Sequence, residues 1–269
     1  MALKLGINKN ISNKEYHADR EYLSSSVLKT ILDDLAEYER MYIKGEARIA
    51  PSNQSALDEG SLAHSMILEP HLVASEYQFF KGPIKKGPEW TKFMETANPK
   101  LPIISTPQKD RLDALYKAYQ SRPEAVDLIT NSRVEETLCV ELMGVKIKVR
   151  ADAVNVARGF IADVKTTGYD GNADQFKQTV EQLSYQLSAA LYSMAFEQQY
   201  GVPFDFYFIV LSKRDYNCEV YKLGKNNMAK GRAMVTEALL KFKKAQETNN
   251  WKEETNSLTT GVGYEIIEV

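Results

Sequence analysis

The chain has 269 residues, 43% of them hydrophobic and 26% charged, with a formal net charge of −2. That composition excludes a fibrous or disordered chain and supports a sizeable core. It also excludes a globally basic protein, so any contact with nucleic acid must come from a local segment.

Two isolated cysteines, Cys139 and Cys218, form no Cys-x-x-Cys pair. This weighs against structural zinc or an iron–sulfur cluster and fits a reducing cytoplasm. Residues 1–10 show no signal-peptide pattern, and no apolar run is long enough to span a membrane.

In chain order, Ser24-Ser25-Ser26 precedes the apolar spacing Leu28, Ile31, Leu32, Leu35, which predicts a serine-capped helix. A polar stretch at 51–59 leads to a second helix at 60–69, stopped by Pro70. Residues 81–108, rich in Gly, Pro and Lys, read as surface loop or short helix, and 107–119 as a helix. From 134 to 167 the period becomes two. Val145, Ile147, Val149 and Ala151 alternate with Lys146, Lys148, Arg150 and Asp152, a strand with one apolar and one charged face. Turn residues at 155–159 precede a second strand at 160–165, predicted to pair with the first as a hairpin. Residues 174–200 read as one long helix ending at Gly201. Strands at 204–211 and 219–223 and a helix at 226–247 follow, and Trp251 lies in a tail. This order predicts one mixed α/β domain over 1–269, a central mixed sheet flanked by helices. Its parts are a helical region to about 130, a catalytic sheet with helices over 131–248, and a tail at 249–269.

Asp163 and Lys165 are two apart on a strand, so they share a face. A hairpin with a short turn brings Asp152 beside Asp163. Two neighbouring carboxylates repel unless a cation lies between them, and hard oxygen donors suit magnesium or manganese. A lysine on that face can hold the attacking water or steady phosphate charge. By spacing alone the same residues also read as a solvated ion-pair ladder.

Two runs, Arg150-Ala151-Asp152-Ala153-Val154 and Phe160-Ile161-Ala162-Asp163-Val164-Lys165-Thr166-Thr167, decide between these. They resemble the core of the PD-(D/E)XK nucleases, and more narrowly the RecE-type exodeoxyribonuclease VIII nuclease domain. Three further runs resemble it in the same order. They are Tyr16-His17-Ala18-Asp19 with the serines after it, Gly60-Ser61-Leu62-Ala63-His64 through Pro70, and the helical run from Tyr185 to Tyr192.

The resemblance implies a restriction-endonuclease-like core holding two Mg2+ ions, with Mn2+ able to substitute. His64, Asp152, Asp163 and the carbonyl of Val164 would be metal ligands, and Lys165 would position the water. Without it, His64 reads as a histidine in an apolar helix core. Glu69 matches a family position too. It lies five residues past His64, about 140° round a helix, so it is read as a helix-end residue behind the ligands. The chain departs from the family at Ala151, where proline is usual, and at Ser188, where glutamine is usual. Gln186, with Gln182 nearby, is the candidate replacement.

For DNA contact, Lys146, Lys148 and Arg150 form a basic row leading to Asp152, open also to the reading of an outward charged face. Trp90 among lysines can stack on a base, but reads more simply as the anchor of a small satellite core, and Tyr16 and Tyr22 as packing residues. Tyr185 and Tyr192, seven apart, are expected to pack on the sheet behind the site.

The resemblance implies an exonuclease acting 5′ to 3′ on duplex DNA ends and leaving 3′ single strands. It further implies a homo-oligomeric ring, a single-strand annealing partner, no membrane association, and a cytoplasmic setting of phage or prophage origin. An endonuclease or flap-processing enzyme on the same core, and a non-catalytic DNA-end binding protein, are the alternatives.

Overall fold

The computed structural model describes residues 3–46 and 54–252, with only the backbone at 54–58. The chain opens with strand β1 (Gly6–Asn8) and helices α1 (Asn13–Ala18), α2 (Ser25–Asp33) and α3 (Leu35–Tyr38), the last running into a π turn at Glu39–Ile43. Helix α4 (Gln54–Leu68) follows, then α5 (Val73–Glu76), β2 (Gln78–Phe80), α6 (Pro88–Met94) and β3 (Ile103–Ser105). Helices α7 (Thr106–Gln120) and α8 (Pro123–Thr130) lead into strands β4 (Arg133–Leu142), β5 (Val145–Asn155) and β6 (Phe160–Thr167). The rest is α9 (Ala173–Gln182), α10 (Tyr185–Tyr200), β7 (Asp205–Ser212), β8 (Cys218–Lys222) and α11 (Lys225–Thr248).

The main sheet runs β1-β4-β5-β6-β7-β8, and every pair is antiparallel except β6–β7. This is the expected mixed sheet flanked by helices. The parallel pair needs a crossover, which α9 and α10 supply. Ile161, Phe206, Phe208 and Val210 face a core shared with α2, α10 and α11. Phe160, Ala162, Val164, Ile209 and Leu211 face a second core with Leu115 of α7 and Leu128 of α8.

Strand β5 does not keep to one phase. Val145, Ile147, Val149, Ala151 and Val154 join the first core, whereas Ala153 joins the second. The alternation therefore slips at Asp152. Strand β4 slips beside it: Leu138, Val140 and Leu142 join the first core, Val134 packs on the second, and Glu135 between them takes φ +50°. A left-handed backbone is unusual for glutamate and breaks the pleat there.

Several expectations change. The helix expected at 60–69 starts earlier, at Gln54, and ends at Leu68. Glu69 leaves it with φ −137° and ψ 59°, because Pro70 disfavours helical backbone in the preceding residue. The helix expected over 174–200 is two helices, broken at Leu183 and Ser184, where Ser184 takes φ +50°. The break lets Phe176 and Tyr185 both pack on Phe208. The lysine-rich loop region contains α6 and a parallel β2–β3 pair, and Trp90 packs with Phe80 and Phe93 in a satellite aromatic cluster. Strand β1 and helix α8 are too short to show a period in sequence. Of the expected tail, Trp251 packs on Tyr38 and Phe242, while 253–269 lie outside the described residues, as do 51–53 of the expected polar stretch. Among the described residues no helix is long and apolar enough to cross a membrane.

Candidate active site

The site forms where the β5–β6 hairpin stops pairing. The strands are bonded as far as Ala153 opposite Ala162, and one step further Asp152 stands opposite Asp163. In place of the next rung, the Asp152 Oδ2 accepts the N–H of Val164 at 2.7 Å. On its other side, the pairs Val134–Ala153 and Glu136–Ala151 bracket Glu135 opposite Asp152. Three adjacent strands thus carry carboxylates at one level: Glu135, Asp152 and Asp163. Lys165, on the same face as Asp163, forms an ion pair with its Oδ2. From α4, His64 approaches with Nδ1 3.4 Å from the Asp152 Oδ2.

This crowding shows in the acid–base properties. Burial, then repulsion from Asp163, raises the pKa of Asp152, against the pull of His64, Lys165 and the Val164 N–H. Burial and then Asp152 push Glu135 up to about 8, with Arg150 opposing and Glu69 adding to the rise. Lys165 moves the other way. Burial lowers its pKa, but Asp163 and Asp152 outweigh burial and hold it above the ordinary lysine value.

A cleft of about 640 Å3 opens over Glu135 and Asp152. His64, Glu69, Glu135, Asp152, Tyr192 and Lys213 are among the residues lining it. Glu69 therefore shares the cleft with His64 instead of lying behind it. The helical angle that separated them does not apply, since α4 ends one residue before Glu69.

The basic row is corrected as well. Lys146 and Lys148 do not line the cleft, whereas Arg150 reaches its wall, with Nε 3.9 Å from the Glu135 Oε2, but is fully engaged by the protein. The Lys148 Nζ donates to the carbonyls of Tyr16 and Asp19 at 2.6 and 2.7 Å. Arg150 donates to Thr137, Asn13 and the carbonyl of Ile11, each at 2.8 Å. Lys146 pairs with Glu21. Gln186 does not reach the cleft: it is buried, with Nε2 3.6 Å from the Met234 Sδ on α11. Gln182 is exposed at the end of α9.

Helix α10 covers the face that bears Asp163 and Lys165, so Tyr185 and Tyr192 pack on the sheet as expected, against Phe208 and Phe206, and also meet the site. The Lys165 Nζ lies 5.2 Å from the centre of the Tyr185 ring, and the Nζ of Lys29 lies 5.5 Å from it. Glu135 and Lys29 carry no motif and were invisible to spacing. Glu135 could have been found by counting the β4–β5 register from the hairpin at Gly144.

Among the described residues no three His, Cys, Asp or Glu side chains stand close enough to enclose a cation as placed. The donor chemistry nonetheless suits one. Asp152 and Asp163 are adjacent buried acids that a divalent cation would relieve, and His64 adds a nitrogen donor at their edge.

A carboxylate at the end of one hairpin strand, facing Asp-x-Lys on the next over a mixed sheet with flanking helices, defines a PD-(D/E)XK nuclease core, a class that works with divalent metals. The chain belongs to the PDDEXK-like family DUF3799, a domain of unknown function, whose model matches residues 24–258. Its fold is shared with a crystal structure from Eubacterium rectale named "Putative exonuclease". That protein is 15% identical, with a TM-score of 0.65 and 97% of each chain covered. The crystal structure of SSO0001 is 13% identical over 67% of this chain and 85% of its own, but its TM-score of 0.30 carries no argument. No curated protein matches the sequence.

Proposed function

We propose that this protein is a magnesium-dependent exodeoxyribonuclease of the RecE type, digesting one strand of linear duplex DNA from its end, 5′ to 3′. The observation that carries the reading is Asp152 facing Asp163 at the unpaired end of the hairpin, with Lys165 on Asp163. The name of the Eubacterium rectale protein agrees with attack at ends.

Asp152, Asp163, His64 and the carbonyl of Val164 would hold the metal. When bound, the ion supplies a more acidic water and offsets phosphate charge. Lys165 stays protonated at neutral pH because Asp163 and Asp152 raise its pKa. It therefore acts as a donor, orienting the attacking water and steadying the charge on phosphorus, and does not take the proton. The Val164 N–H fixes the Asp152 carboxylate in one orientation, and Tyr185 backs the ammonium of Lys165. Water adds at phosphorus as the ester P–O bond breaks, giving a phosphomonoester and a free hydroxyl. The reading also includes a homo-oligomeric ring on duplex ends and a single-strand annealing partner, both by family resemblance.

Linear and covalently closed circular duplexes, incubated with magnesium or chelator, test this. Nucleotide release from the linear form alone, with label lost first from the 5′ end, is expected. Cutting of the circle would make the protein an endonuclease. DNA bound but never hydrolysed would make it an end-binding protein.

A further inference from the structure

Lys29, on α2, is a half-buried cation held by a backbone carbonyl and not by a carboxylate. Its Nζ donates at 2.7 Å to the carbonyl of Leu183, at the break between α9 and α10. That bond uses one of three ammonium donors. Among the described residues Lys29 makes no ion pair, unlike Lys146, Lys148 and Lys165. Lys165 is close enough for its charge to act on it. Both ammoniums lie over the Tyr185 ring, at 5.5 and 5.2 Å from its centre. Burial and the like charge of Lys165 lower its pKa to about 8, although Asp163 and Asp33 oppose them. A half-buried ammonium beside a second one is costly unless an anion joins them. Lys146, Lys148 and Arg150, first expected to track phosphate, are all engaged by the protein, whereas Lys29 shares the Tyr185 ring with Lys165 and spends one donor on a carbonyl.

We propose that Lys29 is a second phosphate-binding lysine of the site, holding a backbone phosphate next to the one served by Lys165. Leu183 and Tyr185 hold its side chain extended toward the strand, leaving two donors for phosphate oxygens. Lys29 is a positioning residue on this account: it sets where the strand lies, and Lys165 acts at the bond that breaks. The inference rests on the nuclease reading above.

The test compares wild type with Lys29→Met and Lys29→Arg, which keep much of the side chain's length. Each is measured for binding to a short blunt duplex in chelator over a range of salt, and for thermal melting. Lys29→Met is expected to bind roughly tenfold more weakly, the loss of one charge-assisted hydrogen bond. It should also lower the slope of log affinity against log salt by about one, with Lys29→Arg restoring it. With magnesium, its KM for DNA should rise more than its kcat falls. A lower melting temperature with wild-type affinity and salt slope would overturn the inference and reduce Lys29 to an anchor for the α9–α10 break. Wild type that neither binds nor cuts DNA would overturn the nuclease reading itself, a result separate from any difference among the variants.

Discussion

The carboxylate of Asp152 accepts the backbone N–H of Val164 at 2.7 Å, so one side chain closes the hairpin ladder that β5 and β6 leave unfinished. This bond holds Asp152 opposite Asp163 despite their repulsion. The fold maintains that repulsion at a cost, and the cost should be measurable.

Asp152→Asn keeps an acceptor for the Val164 N–H and removes one of two neighbouring buried charges. In chelator near pH 8 this variant is expected to melt above wild type. Added magnesium should then raise its melting temperature less than it raises wild type, since the charge that held the ion is gone. A variant that melts below wild type in chelator would show that the acids do not repel.

Glu135 provides a pH dependence. Its folded pKa is raised from 4.5 to about 8. Between those values the folded state retains a proton that the unfolded state has released, so stability falls as pH rises from about 4.5 to 8. Asp152 shifts in the same direction. Glu135→Gln removes its share of this loss. Metal-free melting curves from pH 5 to 8 should decline less steeply for the variant, and equal slopes would refute the assignment.

Lys148 and Arg150 should behave as structural cations. Lys148 is buried, bonded to two carbonyls and 3.7 Å from Asp19. Lys148→Met is expected to cost about 3 kcal/mol, the scale for breaking a buried charge pair. It should leave the salt slope of DNA binding unchanged, in contrast to Lys29→Met. A reduced slope would return the row to the DNA path.

Gly231 sets how closely α10 and α11 cross. A Cβ there would overlap the backbone carbonyl of Gln186. Gly231→Ala should destabilise by about 3 kcal/mol through overpacking. Because α10 carries Tyr185 and Tyr192 over the site, activity should fall alongside the melting temperature. An unaffected melting curve would mean that the crossing can relax.

Much of the site was legible because it lies in one hairpin. The alternation from Val145 to Ala151 and the Asp163–Lys165 spacing are short-range signals that survive folding. What failed depended on partners distant in sequence or on where an element ends. Lys148 is buried under α1 and Arg150, though at the cleft wall, is tied to Thr137, Asn13 and Ile11, and nothing in the pattern Lys-Ile-Lys-Val-Arg-Ala-Asp announces either partner set. Glu69 was misplaced because its helix was extended by one residue past the point that Pro70 allows. That Tyr185 and Tyr192 also meet the site depended on which side of the sheet α10 covers, a tertiary choice. Lys29 meets a carbonyl 154 positions away, beyond any local reading.

The most direct test of the central claim is the release of nucleotides from linear duplex DNA by wild type, Asp163→Ala and Lys165→Ala, each with magnesium and with chelator. The account expects release by wild type with magnesium only, and a fall of about 10³-fold or more in both variants, with their melting curves still cooperative. Release by either variant at the wild-type rate would contradict it and place the chemistry elsewhere in the molecule.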